Sequence, residues 1–318
     1  MVYVSSGSDS VDSLKTTAYY YHAVKAIGGR PVANIIETLI PGVLEDVAQR
    51  QLRTPLEQVK QRARHQSEAL SFMSILRATV GAVSIISEVK RRSPFQGFIG
   101  PIPDPAALAE QCVEGGAVAM SVITESRNYG GSWEDLDLVR SRVDVPVICR
   151  DIILTPYQLH EARAHGADAV VLIVAALKQN ALISLIERTE SLGMTAVVEA
   201  HSRIEALHAI EAGARIVGVS ALDLKTLKAD PHTIPETIDV IPSGVFALAE
   251  FIARSPRDVM ELAKWGADGV VVGEAIVTSP NPHQTVRDMV SAGQHPALHT
   301  DRRFRVQAAL EEEKGDLR

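Results

Sequence analysis

The chain has 318 residues, 46% hydrophobic and 22% charged, a balance found in ordinary globular proteins and not in disordered ones. Its formal net charge of −7 excludes a broad nucleic-acid surface, which needs a concentrated basic face. There is no apolar run of about 18 residues and no basic leader followed by an apolar stretch, so neither membrane insertion nor export is expected and the cytoplasm is the default location.

Residues 1–32 read as an N-terminal extension. They open on a Ser/Gly/Asp-rich stretch, SSGSDS, followed by TTAYYYHAVKAIGGR, which is expected to fray or to dock as a short helix. The Tyr19-Tyr20-Tyr21 cluster fits the docked face of such a helix, and no function is assigned to it. From Asn34 to about Thr79, Ile36, Leu39, Ile40, Val43, Leu44 and Val47 recur at helical spacing, and Thr54-Pro55 opens a second such segment. Together they form a helical preface.

Eight short apolar, β-branched runs follow in order: VSIISEV, VAMSVIT, VPVIC, AVVLIV, TAVVEA, RIVGVS, VFALAE and GVVVG. Between them lie helical patterns such as DPAALAEQCVEGGA, TPYQLHEARAHGA, RIEALHAIEAGA and SPRDVMELAKWGA, each opening near a capping residue or proline and stopping at Gly-Ala. Near-continuous apolar strands imply burial on both faces, hence a parallel sheet covered by helices. Strict alternation over eight units predicts an α/β fold closed as a (β/α)8 barrel over residues 33–295, preface included. The rival, an open doubly wound sheet, lacks a Gly-rich loop after its first strand. Residues 296–318, rich in Arg and Glu, read as a charged tail.

In such barrels reactive groups gather at the carboxyl ends of the strands. The first strand ends in Glu88 and Lys90, followed by Arg91, Arg92, Ser93 and Pro94; the third ends at Arg150 and Asp151; the fifth at Glu199; the sixth at Ser220 and Asp223; the seventh at Glu250; and the eighth at Gly273 and Glu274. Glu88 and Lys90 are two residues apart, a period that points both side chains to one side of a strand. A buried acid beside a buried ammonium suits proton transfer, and equally an ion pair that closes a barrel. The Arg91-Arg92 pair reads as a solvated loop that could also draw anions, and His160, His165 and His201 as surface or capping residues. Trp133 and Trp265 fit helical packing, and Cys112 and Cys149 fit buried apolar positions.

The segments ISEVKRRSP (86–94), TES..YGGS (Thr124 to Ser132), RDIILTPYQLHEARAHGAD (Arg150 to Asp168), LGMTAVVEAH ending at His201, and VVGEAIV from Val271 resemble the indole-3-glycerol phosphate synthase family. The resemblance spans about residues 33–295. It implies ring closure of a carboxyphenylamino-deoxyribulose phosphate with loss of carbon dioxide and water, on a small-molecule substrate and as part of tryptophan biosynthesis, with neither cofactor nor metal. It also implies a chain acting as monomer or homodimer, with no nucleic-acid or membrane partner. Lys90 matches the lysine that grips the substrate's anionic groups, Glu88 its support, and Glu199 a general acid or base. Glu250 matches an active-site glutamate, Ser93 and Pro94 the first loop, and Tyr129 an aromatic residue against the substrate ring.

Departures from the pattern fall at strand ends. Arg150 stands where the family has a lysine acid, and a guanidinium does not readily give up a proton. Ser220 and Leu222 replace an asparagine and an arginine. Phe251 and Ile252, after Glu250, replace small residues that let backbone N–H groups approach a phosphate. Gly273, before a short helix with Glu274, keeps part of that cradle. The leading expectation is therefore a diverged carboxy-lyase of specialised metabolism acting on an aryl-amine-type ligand. The alternatives are the unaltered family enzyme of tryptophan biosynthesis and a non-catalytic barrel that binds a metabolite or a partner.

Overall fold

The computed structural model describes residues 35–79, 81–93, 96–250, 253–296 and 298. The expectations for residues 1–32, for Pro94, for Phe251 and Ile252, and for nearly all of the tail lie outside the described residues. The preface forms three helices, α1 (Ile35–Arg53), α2 (Leu56–Arg64) and α3 (Phe72–Ala78). Ile36, Leu39, Val43 and Val47 are the buried stripe of α1, whereas Leu44 is 43% exposed and stands off that stripe.

Eight strands then close a parallel barrel: β1 (Ser84–Val89), β2 (Ala119–Ile123), β3 (Val147–Arg150), β4 (Ala169–Ile173), β5 (Thr195–Ala200), β6 (Ile216–Ser220), β7 (Phe246–Glu250) and β8 (Gly269–Val272). Consecutive strands are neighbours, and β8 pairs with β1 through Ser84 opposite Gly269. The connecting helices are α4 (Pro105–Glu114), α5 (Trp133–Arg140), α6 (Pro156–Ala164), α7 (Gln179–Ser191), α8 (Arg203–Glu211), α9 (Thr233–Ile238) and α10 (Pro256–Lys264). A short α11 (Glu274–Val277) and α12 (Pro282–Gly293) follow. The (β/α)8 barrel expected from the alternation of patterns is the observed fold.

Period-two alternation divides every strand between two cores. Ile85, Val122, Cys149, Val170, Val198, Val217, Ala247 and Val270 face the helices, while Ile86, Ala119, Ile148, Val171, Val197, Ile216, Leu248 and Val271 fill the barrel interior. The interior stack runs from Ser84 and Thr195 at the amino ends through an apolar middle to a charged last layer at Glu88, Arg150, Glu199 and Glu250. An interior filled with side chains leaves the carboxyl-end mouth as the place where a ligand can enter.

The third and seventh βα units are built alike at a spacing of 100 residues. Asp168 Oδ2 accepts from Val147 N at 2.8 Å and Asp268 Oδ2 from Ala247 N at 2.8 Å. The helices that precede these aspartates open on Thr155-Pro156 and Ser255-Pro256, with Gln158 and Asp258 accepting from the cap N–H groups. Each aspartate thus clips one strand to its neighbour below the core. Asp168 also accepts from Leu70 N at 2.8 Å and from Arg140 Nη1 at 2.6 Å, which anchors the preface to the barrel floor.

Asp168→Asn replaces one acceptor oxygen by a donor facing N–H groups. The expected loss is about 2–3 kcal/mol, from buried donors left without acceptors, or a midpoint lower by roughly 5–10 °C in thermal unfolding. An unchanged melting temperature would show that the clip contributes nothing.

Candidate active site

The polar layer at the mouth is centred on Arg150, the last residue of β3. Its Nη1 lies 2.6 Å from Glu199 Oε2 and its Nη2 2.6 Å from Glu250 Oε2. Nε is 2.9 Å from Glu88 Oε2 but points off the line of a hydrogen bond, so that contact is ionic. Lys90 Nζ stands 3.6 Å from Glu88 Oε1, and Ser121 Oγ donates to Glu88 Oε2 at 3.2 Å. Glu88 and Lys90 face the same side, as the period-two reading expects, and all five charged residues are nearly or fully enclosed.

Burial at this density moves protons. Desolvation pulls the Lys90 ammonium below its usual value despite Glu88 beside it. Arg150 feels the same desolvation, but Glu250, Glu88 and Glu199 outweigh it and hold the guanidinium charged. For Glu199, desolvation is overcome by Arg150 and His201, which keep its carboxyl below the usual range. Glu250 goes the other way: desolvation and the nearby Glu199 raise it in spite of Arg150. Two carboxylates around one guanidinium have therefore been driven apart in acidity, the pattern that separates an acid from a base in one site.

His201 was expected at the surface or at a helix cap, and its position is otherwise. It follows β5 two residues after Glu199, its side chain is only 5% exposed, and Nε2 lies 3.0 Å from Glu199 Oε1. Nδ1 lies 3.3 Å from Glu205 Oε2, which also accepts from His201 N at 2.8 Å. Burial alone would push the imidazolium down, but Glu199 and Glu205 lift it to about 9. An unfolded-chain imidazole titrates near ~6.5, so this stabilisation is complete below that value and fades as pH rises through the folded one. Wild type is thus expected to melt above His201→Asn at about pH 6 and to lose that margin by about pH 10, as read by thermal unfolding at stepped pH. A margin that does not depend on pH would refute a charged His201.

Two small recesses open on either side of Arg150 and Lys90, which line both. The first is apolar, walled by Ile36, Ile123, Tyr129, Ile152, Val171, Ile173, Leu222 and Leu224, with Glu199, His201 and Asp151 at its polar edge. Desolvation raises the Asp151 carboxyl to about 6. Tyr129 is held by Glu125, whose carboxylate accepts from Asn128 N at 2.7 Å and from Tyr129 N at 2.9 Å. The loop can return over β2 because Gly131 sits where a Cβ would stand 2.2 Å from Ile123 O. The roof comes from the preface: Ile35 N donates to Leu224 O at 3.0 Å, which brings Ile36 over the opening.

The second recess is polar, lined by Glu88, Gln96, Glu250, Arg254, Gly273 and Glu274 among others. Gln96 Nε2 and Arg254 Nη2 both donate to Glu274 Oε2, at 2.9 and 3.3 Å. Gly273 packs against Glu88, with Oε1 3.2 Å from the place of a Cβ.

Of the residues picked from sequence, Glu88, Lys90, Arg150, Glu199 and Glu250 come together at one level, Tyr129 and Leu222 join the apolar recess, and Gly273 and Glu274 join the polar one. Ser93 is buried in a two-residue hairpin strand, Arg92–Ser93, and Ser220 turns back to accept from Leu222 N at 3.3 Å; neither lines a recess. Arg91, expected in a solvated loop, clamps the buried Asp135 with both terminal nitrogens and donates to Ile102 O at 3.1 Å. Cys112 and Cys149 are buried free thiols, and burial raises Cys112 to about 11. Among the described residues, no helix is long and apolar enough to cross a membrane.

The family profile described as indole-3-glycerol phosphate synthase matches residues 36–289. A protein of that name from Beutenbergia cavernae is 51% identical over 268 residues, covering 84% of this chain and 99% of the relative. Others from Parafrankia sp. (50% over 264 residues, 83% and 98%) and Streptomyces griseus (48% over 269 residues, 85% and 99%) are similar. Among solved structures, 3-hexulose-6-phosphate synthase from Salmonella typhimurium has a TM-score of 0.55 at 16% identity, covering 67% of this chain and all of that one. At that identity the likeness is one of fold.

Proposed function

The chain belongs to the indole-3-glycerol phosphate synthase family, and on that premise we propose that it performs the decarboxylating ring closure for which the family is named. The substrate is then a 2-carboxyphenylamino-deoxyribulose phosphate, and the products are indole glycerol phosphate, carbon dioxide and water. The observation that carries this reading is a wall of charged side chains, Lys90 and Arg150, between an apolar recess that fits an aryl ring and a polar recess that fits a hydroxylated chain.

In the first step the ring carbon bearing the carboxylate bonds to the carbonyl carbon of the sugar chain. Its bond to the carboxylate then breaks to release carbon dioxide, and the carbonyl oxygen takes up a proton. Lys90, an ammonium made more acidic by burial, suits that donation. In the second step the new hydroxyl leaves as water with one proton while the closing ring gives one up. Glu199, at the edge of the apolar recess, suits that exchange. Arg150 holds charge and geometry and moves no proton itself.

The comparisons support the unaltered family reaction better than the diverged enzyme first expected, because identity near one half runs over nearly the whole of each relative. A second reading, an altered ligand, rests on two observations: Arg150 is committed to three glutamates, and Leu222 lies in the recess wall. Incubation of the full chain with the carboxyphenylamino-deoxyribulose phosphate and with its dephosphorylated form separates the two. Formation of indole glycerol phosphate with equimolar carbon dioxide from the phosphorylated compound at ordinary enzyme rates supports the first. Turnover confined to the dephosphorylated compound supports the second, and turnover of neither by folded protein leaves the binding-only barrel.

A further inference from the structure

The inward-facing layer at the mouth holds three carboxylates, Glu88, Glu199 and Glu250, against two cations, Lys90 and Arg150. Glu250 is the most enclosed of the three, at 2% exposure. Arg150 satisfies only its Oε2. Oε1 is buried with no hydrogen-bond donor among the described residues, and it lies over Gly218, 2.5 Å from where a Cβ would be. An ionised carboxylate with one oxygen in that state has lost its hydration without replacement, which costs more than carrying a proton does. Glu199 is within hydrogen-bonding reach of Glu250, and it alone of the two has a second cationic partner in His201.

We propose that Glu199 and Glu250 hold one proton between them, and that Glu250 is the reservoir from which Glu199 is reprotonated in each turnover. The inference rests on the ring-closing reaction proposed above and concerns its dehydration step. Glu250 passes the shared proton to Glu199, and Glu199 gives it to the departing hydroxyl, which leaves as water when its C–O bond breaks. The ring carbon then releases its proton to the pair as the double bond forms, so the pair ends as it began. The groups facing Glu250 are Glu88 from β1 with Lys90 just past its end, Arg150 from β3, Glu199 with His201 beyond it from β5, and Arg254 and Glu274 across the polar recess. Glu250 acts through Glu199 and is a positioning residue in this scheme.

Two measurements on the full chain test it. Infrared difference spectra of the unliganded protein between acid and alkaline pH should contain the carbonyl stretch of one un-ionised carboxyl that titrates near about 7. Glu250→Gln should abolish that signal and Glu88→Gln should keep it. In steady-state turnover of the carboxyphenylamino-deoxyribulose phosphate, Glu250→Gln should lower kcat by roughly 10²-fold with KM little changed and remove the alkaline limb of the kcat profile. Glu250→Asp should restore part of that limb. No carboxyl signal, or a kcat profile unchanged in Glu250→Gln, overturns the proposal and points to Lys90 as the donor. A carboxyl signal in a wild-type protein that turns over none of this substrate upholds the shared proton, overturns the relay, and refutes the reaction itself.

Discussion

Arg150→Ala is expected to lower stability at neutral pH by about 3–5 kcal/mol, the cost of leaving buried charges without their partner, and the melting temperature by roughly 6–20 °C. Three carboxylates converge on that guanidinium, two of them at 2.6 Å, and one of those is Glu250, the most enclosed of the three. The size of the effect comes from desolvation, since the same three acids at the surface would cost little. The effect also has a sign in pH. Glu199 is held below its unfolded value, so the wild-type advantage is present at neutral pH and lost as pH falls through the folded value. Thermal melts of wild type and variant should therefore begin to converge below about pH 4, where an unfolded carboxyl is protonated, and close further as pH falls toward the folded value. A variant that melts like wild type at pH 7 would show that the cluster is not the charged knot described.

Glu199→Gln is expected to cost about 10²–10⁴ in kcat, the usual worth of a positioned acid or base, while KM for the carboxyphenylamino-deoxyribulose phosphate changes little. The amide is nearly isosteric and still accepts from Arg150, so the folded protein should survive. What disappears is the capacity to give and take a proton beside the apolar recess, where Ile152, Tyr129 and Leu222 would hold the ring. His201 lies 3.0 Å from the same carboxylate and could not substitute for it, because it is engaged by Glu205 on its other nitrogen. Product formation followed at saturating substrate decides the matter. A glutamine variant with wild-type kcat would remove Glu199 from the chemistry and move attention to Lys90.

Much of this site could be read in the order of residues, and the reason is geometric. Interior and exterior positions alternate along a barrel strand, so the last inward residue of each strand can be picked from the run alone. That argument found Glu88, Lys90, Arg150, Glu199 and Glu250. Carried two residues past Glu199 it also reaches His201, which its place just before the helix that starts at Arg203 disguises as a capping residue. The misplaced Arg91 has a different cause, since its partner Asp135 lies 44 residues away and no local pattern announces the pair. The same holds for Ile36: helical spacing placed it on a buried stripe, but only the hydrogen bond from Ile35 to Leu224 shows that the stripe covers the mouth. Periodicity reports which side a residue faces and is silent on what it meets there.

Units three and seven stand across the axis from one another, and their hundred-residue offset carries Arg150 onto Glu250. The two positions are one address visited twice around the ring, and at the axis they touch. Identical occupants would repel, so opposite signs are the stable outcome. Evolutionary drift at either end must then wait on the other, and a double-mutant cycle across the pair should show strong epistasis where single substitutions elsewhere on the rim would simply add.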